Sequence, residues 1–474
     1  MKRKTKIIAT IGPASGSEDM LKELILAGVN VCRINFSHGT HQENINVIKN
    51  IRKIENDLNT QVGILADLQG PKIRIGLMPE EGVELKKDNY FILDNNNKIG
   101  DSTRAFVAYS NLPKDVKINE NILLDDGKIS LKIISSDEQT TIKTKIVEGG
   151  ILYSNKGLNL PNTKISTPSL SKKDIIDLNV ALKYEVDWIG FSFVRSASDI
   201  IELKHIISNK NSQAKVIAKI EKPEALDNLD EILQETDGVM VARGDLGVEM
   251  PLETVPVIQK NIVYKARKLA KPVIIATQMM DSMIVNITPT RAEVNDVANA
   301  VMDQTDAVML SGETSVGKNP IEVVKIMSKI INEVEENYQA VFTEEINAEK
   351  NHARFITDSI CFNVCRLAKQ TDAKAIVTMT HSGYTAYKIS SQRPKASIFV
   401  FSGNRKLLNS LSLLWGVQTF YYDKMISTDH TIADIKFFLK KNKLINVGEL
   451  IINTASIPLG DKGNTNMLKL SYIQ

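Results

Sequence analysis

Cysteine is scarce: Cys32, Cys361 and Cys365 are the only three in 474 residues. So odd and sparse a set excludes a disulfide framework and the small stapled folds that depend on one. Cys361 and Cys365 share a segment of helical character with no further Cys or His ligand beside them, so they read as reduced core thiols and not as a zinc site. Long apolar runs are absent as well, and none approaches the ~18 residues of a membrane span. The apolar stretch after the basic start, Ile7–Ile11, breaks off at Gly12-Pro13 and is too short for a signal sequence. A surplus of one charge is also missing: 59 Lys and Arg stand against 56 Asp and Glu, a net +3, too little to hold nucleic acid by charge. What is present is ordinary for a globular chain, 43% hydrophobic and 24% charged, and gives no ground for disorder. The expectation is a cytoplasmic protein of roughly two to four domains, with neither nucleic acid nor membrane as a partner.

Short apolar strands alternate with amphipathic helices from the start. Strands are expected at Lys6–Thr10, Val31–Phe36, Val62–Asp67, Asp187–Ser192, Lys215–Ile220, Gly238–Ala242, Pro272–Thr277 and Ala307–Leu310. Helical patterns such as Glu18–Ala27, Gln42–Leu58, Lys172–Tyr184, Ala197–Ser208 and Leu252–Leu269 lie between them. Roughly eight βα units is the count of a (β/α)8 barrel, an α/β fold whose active site lies at the C-terminal ends of its strands. A doubly wound sheet is the alternative, and the lack of a Gly-rich first turn speaks against it.

From Lys72 to Pro161 the helical period vanishes. Short alternating runs (Val83–Leu85, Tyr90–Leu93, Ile122–Leu124, Lys128–Ile134, Thr140–Val147) are punctuated by Asp-Asn, Asp-Gly and Gly-Gly turns, which predicts a small antiparallel β domain inserted after the third strand. Placed there, it overhangs the mouth of the barrel as a lid. After a helix at Ile321–Tyr338 the chain changes character around Phe342–Asn351, and helix Phe355–Thr371 with strands Ala375–Thr380 and Ser397–Ser402 opens a separate α/β domain. The domain plan is a barrel from 1–71 and 162–341, a lid from 72–161, and a C-terminal α/β regulatory domain from 342–474.

The densest chemistry lies between Lys215 and Glu249. Lys219 and Glu221 leave one face of a strand end, and the next strand runs into Arg243-Gly-Asp-Leu-Gly247, read as a turn. Arg33, Asn35 and Ser37 alternate along the second strand end, a guanidinium for phosphate beside two oxygen ligands for a cation. Asp67 ends the third strand and Thr277 the seventh. These residues come from the same ends of different strands, as the catalytic groups of barrels do. Two acids with carbonyl and water oxygens suit Mg²⁺, the backbone of Gly244 and Asp245 suits a carboxylate, and Lys219 suits charge developing on a phosphoryl group or an enolate. The reaction class is Mg²⁺-assisted phosphoryl or enolate chemistry on a small acid. Gly312–Lys318 imitates the start of a phosphate-binding P-loop, but Asn319 and Pro320 follow where the Mg²⁺-binding hydroxyl should stand.

In order along the chain, Thr5–Ser15, Arg33–Gly39, Asp67–Arg74, Lys156–Pro161, Ala218–Glu221, Ala242–Gly247, Ala276–Met280 and Met309–Thr314 resemble the pyruvate kinase family. The resemblance implies a barrel with an inserted small β-barrel lid, and transfer of the phosphoryl group of phosphoenolpyruvate to ADP, giving pyruvate and ATP as the last step of glycolysis. It implies that Glu221 and Asp245 bind Mg²⁺ (or Mn²⁺) and that Lys219 stabilises the transition state and the enolate. Arg33 would grip the phosphoryl group, and Gly244, Asp245 and Thr277 the substrate carboxylate. Asn35, His38, Arg74 and Lys156 match the nucleotide side. The monovalent-cation site would be Asn35, Ser37, Asp67 and the Leu68 carbonyl. Members that need K⁺ usually carry Thr at the Leu68 position and an acid at Lys72, so a lysine ammonium is expected to replace K⁺ and make it dispensable. The loop Thr380–Thr385, with Thr380, Ser382, Gly383 and Thr385, resembles the phosphate loop of an effector site, and a homotetramer is expected by analogy. A metal-dependent aldolase or lyase and a barrel that senses metabolites without turnover remain as alternatives.

Overall fold

The computed structural model describes residues 3–338, 353–424, 427–457 and 464–474. Eight strands form the central barrel: β1 (Lys6–Ile11), β2 (Val31–Asn35), β3 (Gly63–Asp67), β4 (Trp188–Phe191), β5 (Lys215–Ile220), β6 (Gly238–Ala242), β7 (Val273–Ala276) and β8 (Ala307–Leu310). They close in the order β1-β8-β7-β6-β5-β4-β3-β2, and every pair is parallel. These are runs of Val, Ile, Leu and Ala buried on both faces, which is what a parallel strand walled by helices requires. One set of side chains, Ile8, Val31, Leu65, Trp188, Ile217, Met240, Ile274 and Met309 among them, forms a cluster of its own, and the alternate set packs against the surrounding helices.

Several helix starts are written locally. Thr40 with Glu43, Ser171 with Asp174 and Thr290 with Glu293 are capping boxes, each side chain satisfying a backbone N–H of the first turn. The Arg243–Glu249 segment corrects the reading of a turn: it is a short helix that follows β6 directly. Two glycines weaken its intrinsic propensity, but Leu246 is fully buried beneath it, so tertiary packing decides. The segment predicted as one helix from Leu252 to Leu269 is a 3-10 turn at Leu252–Thr254 followed by helix Val255–Lys268.

Between β3 and β4 lies the inserted sheet, ordered Leu158–Asn159, Asn121–Leu124, Ile129–Ser136, Thr141–Glu148, Tyr90–Asp94, Arg104–Phe106. Neighbours are antiparallel except the last pair, which is parallel because the intervening loop carries the chain back before it re-enters. Isolated bridges Arg74–Gly157 and Ile75–Val107 connect the stretch after Lys72 to both edges, closing the sheet on its own core of Phe91, Ile122, Leu131, Ile133, Ile142 and Ile146.

The C-terminal sheet runs Val417–Tyr421, Ser397–Ser402, Ala375–Met379, Leu450–Ala455, Met467–Tyr472, with only the last pair antiparallel. It docks on the end of the barrel opposite the strand C-termini. There Trp188 Nε1 donates to Ser410 O at 3.1 Å, Arg393 pairs with Asp306 at 2.7 Å, and Leu413 joins the barrel's interior cluster. The change of character expected around Phe342–Asn351, with the boundary at 341/342, lies outside the described residues. All three cysteines are free and buried, and burial pushes the thiols of Cys32 and Cys361 up to about 12. Among the described residues no helix is long and apolar enough to cross a membrane.

Candidate active site

Strand register brings the site together. Asn35 stands opposite Asp67, Lys219 opposite Met240 and Ala242 opposite Ala276, so the ends of β2, β3, β5, β6 and β7 form one rim. Lys219 is its centre. Its Nζ lies 2.9 Å from Glu221 Oε1 and 3.3 Å from Asp67 Oδ1, and donates to Ser192 Oγ at 2.7 Å. Arg33 Nε donates to the other Asp67 oxygen at 2.6 Å, and Arg33 Nη1 to Thr10 Oγ1 at 2.9 Å. Two cations thus converge on one carboxylate that is 1% exposed, with Arg33 keeping a partly open guanidinium.

Burial opposes charge on every member of this group, and the neighbours decide the outcome. Burial raises the Asp67 carboxyl, but Lys219 and Arg33 together outweigh it and hold Asp67 below its ordinary value. Burial likewise disfavours the Lys219 ammonium, yet Asp67 and Glu221 hold its pKa above the ordinary lysine range. Glu221 goes the other way: burial first, then the like charge of Asp245, raise it against the pull of Lys219 and the Phe193 N–H, which reaches Glu221 Oε2 at 2.7 Å.

Asp245 stands in the first turn of the Arg243–Glu249 helix, and Lys72 Nζ approaches its Oδ1 at 3.5 Å. Among the described residues no cluster of three His, Cys, Asp or Glu side chains is placed to hold a metal. The acidic donor set is the pair Glu221 and Asp245, which fits a cation such as Mg²⁺ that takes few protein carboxylates and completes its shell with water and substrate oxygens.

Thr277 is held in a left-handed conformation, φ +67°, which costs a β-branched residue about 1–3 kcal/mol. Its Oγ1 accepts the Gly244 N–H at 2.8 Å and donates to Ala276 O at 2.6 Å. Arg243 clamps the strained turn: Nη2 donates to Thr277 O at 2.7 Å, Nε to Ala276 O at 3.3 Å, and Nη1 pairs with Asp296 at 2.6 Å. Ser192, Thr10 and Arg243 are thus site residues that the sequence reading passed over. Ser192 had the same signal as Asp67, a polar residue ending an apolar strand.

The nucleotide candidates divide between barrel and lid. Asn35 ends β2, and the exposed His38 follows it. Arg74 donates to Asn155 O at 2.9 Å and Lys156 pairs with Asp125 at 2.8 Å, the two brought together by the bridge beside Gly157. The candidate K⁺ ligands already have partners: Asn35 Oδ1 accepts the Ser37 N–H at 3.1 Å, and the Leu68 carbonyl accepts Ser192 Oγ at 2.7 Å. Lys72 reaches Asp245 and not Asp67. The Thr380–Thr385 loop lies in the C-terminal domain, away from the rim. Thr380 Oγ1 accepts the Gly383 N–H at 2.9 Å and Ser382 Oγ the Tyr384 N–H at 3.5 Å, whereas Thr385 turns inward onto Thr465 at 2.7 Å. The P-loop imitation is resolved: Glu313 is buried in a helical turn and accepts the N–H groups of Ser311 and Met280 at 2.6 and 3.1 Å, leaving no phosphate cradle.

The chain matches two known family domains, "Pyruvate kinase, barrel domain" over residues 2–324 and "Pyruvate kinase, alpha/beta domain" over residues 358–471. It is 43% identical over 477 residues to a pyruvate kinase of Geobacillus stearothermophilus, covering 100% of this chain and 81% of that protein. To a pyruvate kinase of Staphylococcus aureus (strain MRSA252) it is 42% identical over 474 residues, 99% of this chain and 80% of the relative. A crystal structure of a pyruvate kinase from Cryptosporidium parvum superposes with a TM-score of 0.92 at 34% identity, over 100% of this chain and 96% of the other.

Proposed function

The chain belongs to the pyruvate kinase family of phosphotransferases, and from that premise we propose that it moves the phosphoryl group of phosphoenolpyruvate to ADP, as the last step of glycolysis in the cytoplasm. The observation that carries the proposal is the buried Lys219 ammonium, 2.9 Å from Glu221 and 3.3 Å from Asp67, with Arg33 sharing Asp67. A charged group fixed before the reaction stabilises a transferring phosphoryl group without reorganisation. Arg33 binds the phosphoryl oxygens, and Lys219 faces the bridging oxygen as it becomes the enolate. The Gly244–Asp245 backbone and Thr277 hold the substrate carboxylate at a helix start. Asn35 and His38 from the barrel, with Arg74 and Lys156 from the lid, enclose the nucleotide and exclude water from the transfer. Glu221 and Asp245 would hold Mg²⁺ or Mn²⁺, which when bound neutralises phosphate charge.

K⁺ is dispensable in this proposal. Lys72 places an ammonium beside Asp245, and three groups of the monovalent site, Asn35 Oδ1, Asp67 and the Leu68 carbonyl, are engaged by protein donors, with Ser37 giving its N–H to Asn35. A phosphorylated effector would bind at Thr380, Ser382 and Gly383, and a homotetramer would be the assembly. A panel of phosphorylated metabolites that leaves substrate saturation unmoved would reduce the loop to an ordinary turn, and a monomer mass in sedimentation would remove the tetramer. The catalytic proposal is tested by coupling pyruvate release to lactate dehydrogenase. Pyruvate should form only when phosphoenolpyruvate, ADP and Mg²⁺ are all present; pyruvate formed without ADP would point to a phosphatase or lyase.

A further inference from the structure

One buried carboxylate joins the lid to the barrel and has no part in the transfer chemistry. Glu249 ends the Arg243–Glu249 helix and is 5% exposed. Its Oε1 accepts from Lys222 Nζ at 2.6 Å and from Asn159 Nδ2 at 2.8 Å. Its Oε2 is buried with no hydrogen-bond partner among the described residues. Two donors on one oxygen and none on the other is a costly way to bury a carboxylate.

The partners explain the asymmetry. Lys222 follows the candidate cation ligand Glu221 directly and is 8% exposed. Asn159 closes the edge strand of the lid and pairs in register with Leu123, just ahead of Asp125, the residue that holds Lys156. The lid turn at Gly127 faces the same helix, close enough that a Cβ placed there would stand 3.8 Å from Val248 Cγ1. The helix that carries Gly244 and Asp245 at its start is therefore fastened to the lid at its end.

We propose that Glu249 is a lid latch. The Asn159 amide seats the lid over the rim, with Lys156 and Arg74 facing the nucleotide, and Lys222 keeps the carboxylate neutralised whether or not Asn159 is docked. Asn159 is neutral and can exchange Glu249 for water as the lid swings, whereas Lys222 is fixed on the barrel. Glu249 and Asn159 are positioning residues that act through the lid. The kinetic part of the test rests on the phosphoryl-transfer reading; the exchange part does not.

The test is Asn159→Ala in the full chain, which leaves the Lys222–Glu249 pair intact. Apparent affinity falls with the fraction of chains in the competent state, and the loss of a hydrogen bond to a charged group is roughly a tenfold change. KM for ADP should rise about tenfold, while calorimetric phosphoenolpyruvate affinity without nucleotide stays within about twofold. In the ligand-free protein, amide exchange at Leu158–Asn159 and Asn121–Leu124 should quicken about tenfold, with β4 unchanged. An unchanged KM for ADP together with unchanged exchange would overturn the latch. So would a general loss of protection with every kinetic constant falling together, which is the mark of a merely structural residue. A wild-type chain that fails to turn over would sink the catalytic reading and still leave exchange to decide the latch.

Discussion

Replacing Lys219 by Met removes one charge and keeps the stem. The Nζ sits 2.9 Å from Glu221 and 3.3 Å from Asp67, both carboxylates 1% exposed, so the variant leaves two buried acids with less compensation. Breaking a buried pair costs about 3–5 kcal/mol. The cost here should fall near ~3 kcal/mol, because Arg33 still holds Asp67 at 2.6 Å and the Phe193 N–H still holds Glu221 at 2.7 Å. At about 2–4 °C per kcal/mol for a large domain, the unfolding midpoint drops by roughly 6–12 °C. Loss of a donor aimed at developing negative charge costs about 10²–10³ in kcat. The assay is steady-state turnover at 25 °C with saturating phosphoenolpyruvate, ADP and Mg²⁺, alongside thermal unfolding. The expected variant is folded, loses at least ~10² in kcat, and changes KM for phosphoenolpyruvate by less than about tenfold. A folded variant with turnover within about tenfold of wild type would refute the role given to Lys219.

Four further outcomes follow from the same geometry. Turnover in tetramethylammonium buffer should match that with added KCl, and Lys72→Glu should create a K⁺ requirement; strict K⁺ dependence of the wild type would remove Lys72 from its part. Because burial and Asp245 raise Glu221, its proton returns before an ordinary carboxylate's as pH falls, so half-saturating Mg²⁺ should climb on the acid side from above the usual ~4.3. Asp67 has the opposite sign: its depressed pKa contributes stability that is full above an unfolded value of ~3.9 and lost as pH falls through the folded value. A Mg²⁺ requirement flat down to that ordinary range would contradict the Glu221 shift. Arg243→Gln frees the strained Thr277 turn, whose ~1–3 kcal/mol corresponds to a rise in KM for phosphoenolpyruvate of about 5- to 150-fold; an unchanged KM would show that Thr277 holds its conformation unaided.

Much of the site was legible because a barrel strand end is a local signal. β5, β6 and β8 are unbroken apolar runs, and their limits were read as they stand. Lys219 and Glu221 leave one face by strand period alone, and the rim needed only the knowledge that eight such ends meet. What could not be read depends on contacts distant in the chain. The Arg243–Glu249 helix looks like a turn until Leu246 is buried beneath it. Arg74 meets the Lys156 segment through a single bridge beside Gly157, which no periodicity announces. Glu249 carries no local signal at all, because its partners Asn159 and Lys222 lie 90 and 27 residues away.

The most direct test of the central claim is ³¹P NMR on the wild-type chain supplied with phosphoenolpyruvate, ADP and Mg²⁺. The phosphoenolpyruvate resonance should decay as the γ-phosphate of ATP grows in equal amount, with no inorganic phosphate. Growth of inorganic phosphate in place of ATP would contradict phosphoryl transfer at the rim of Arg33, Lys219, Glu221 and Asp245.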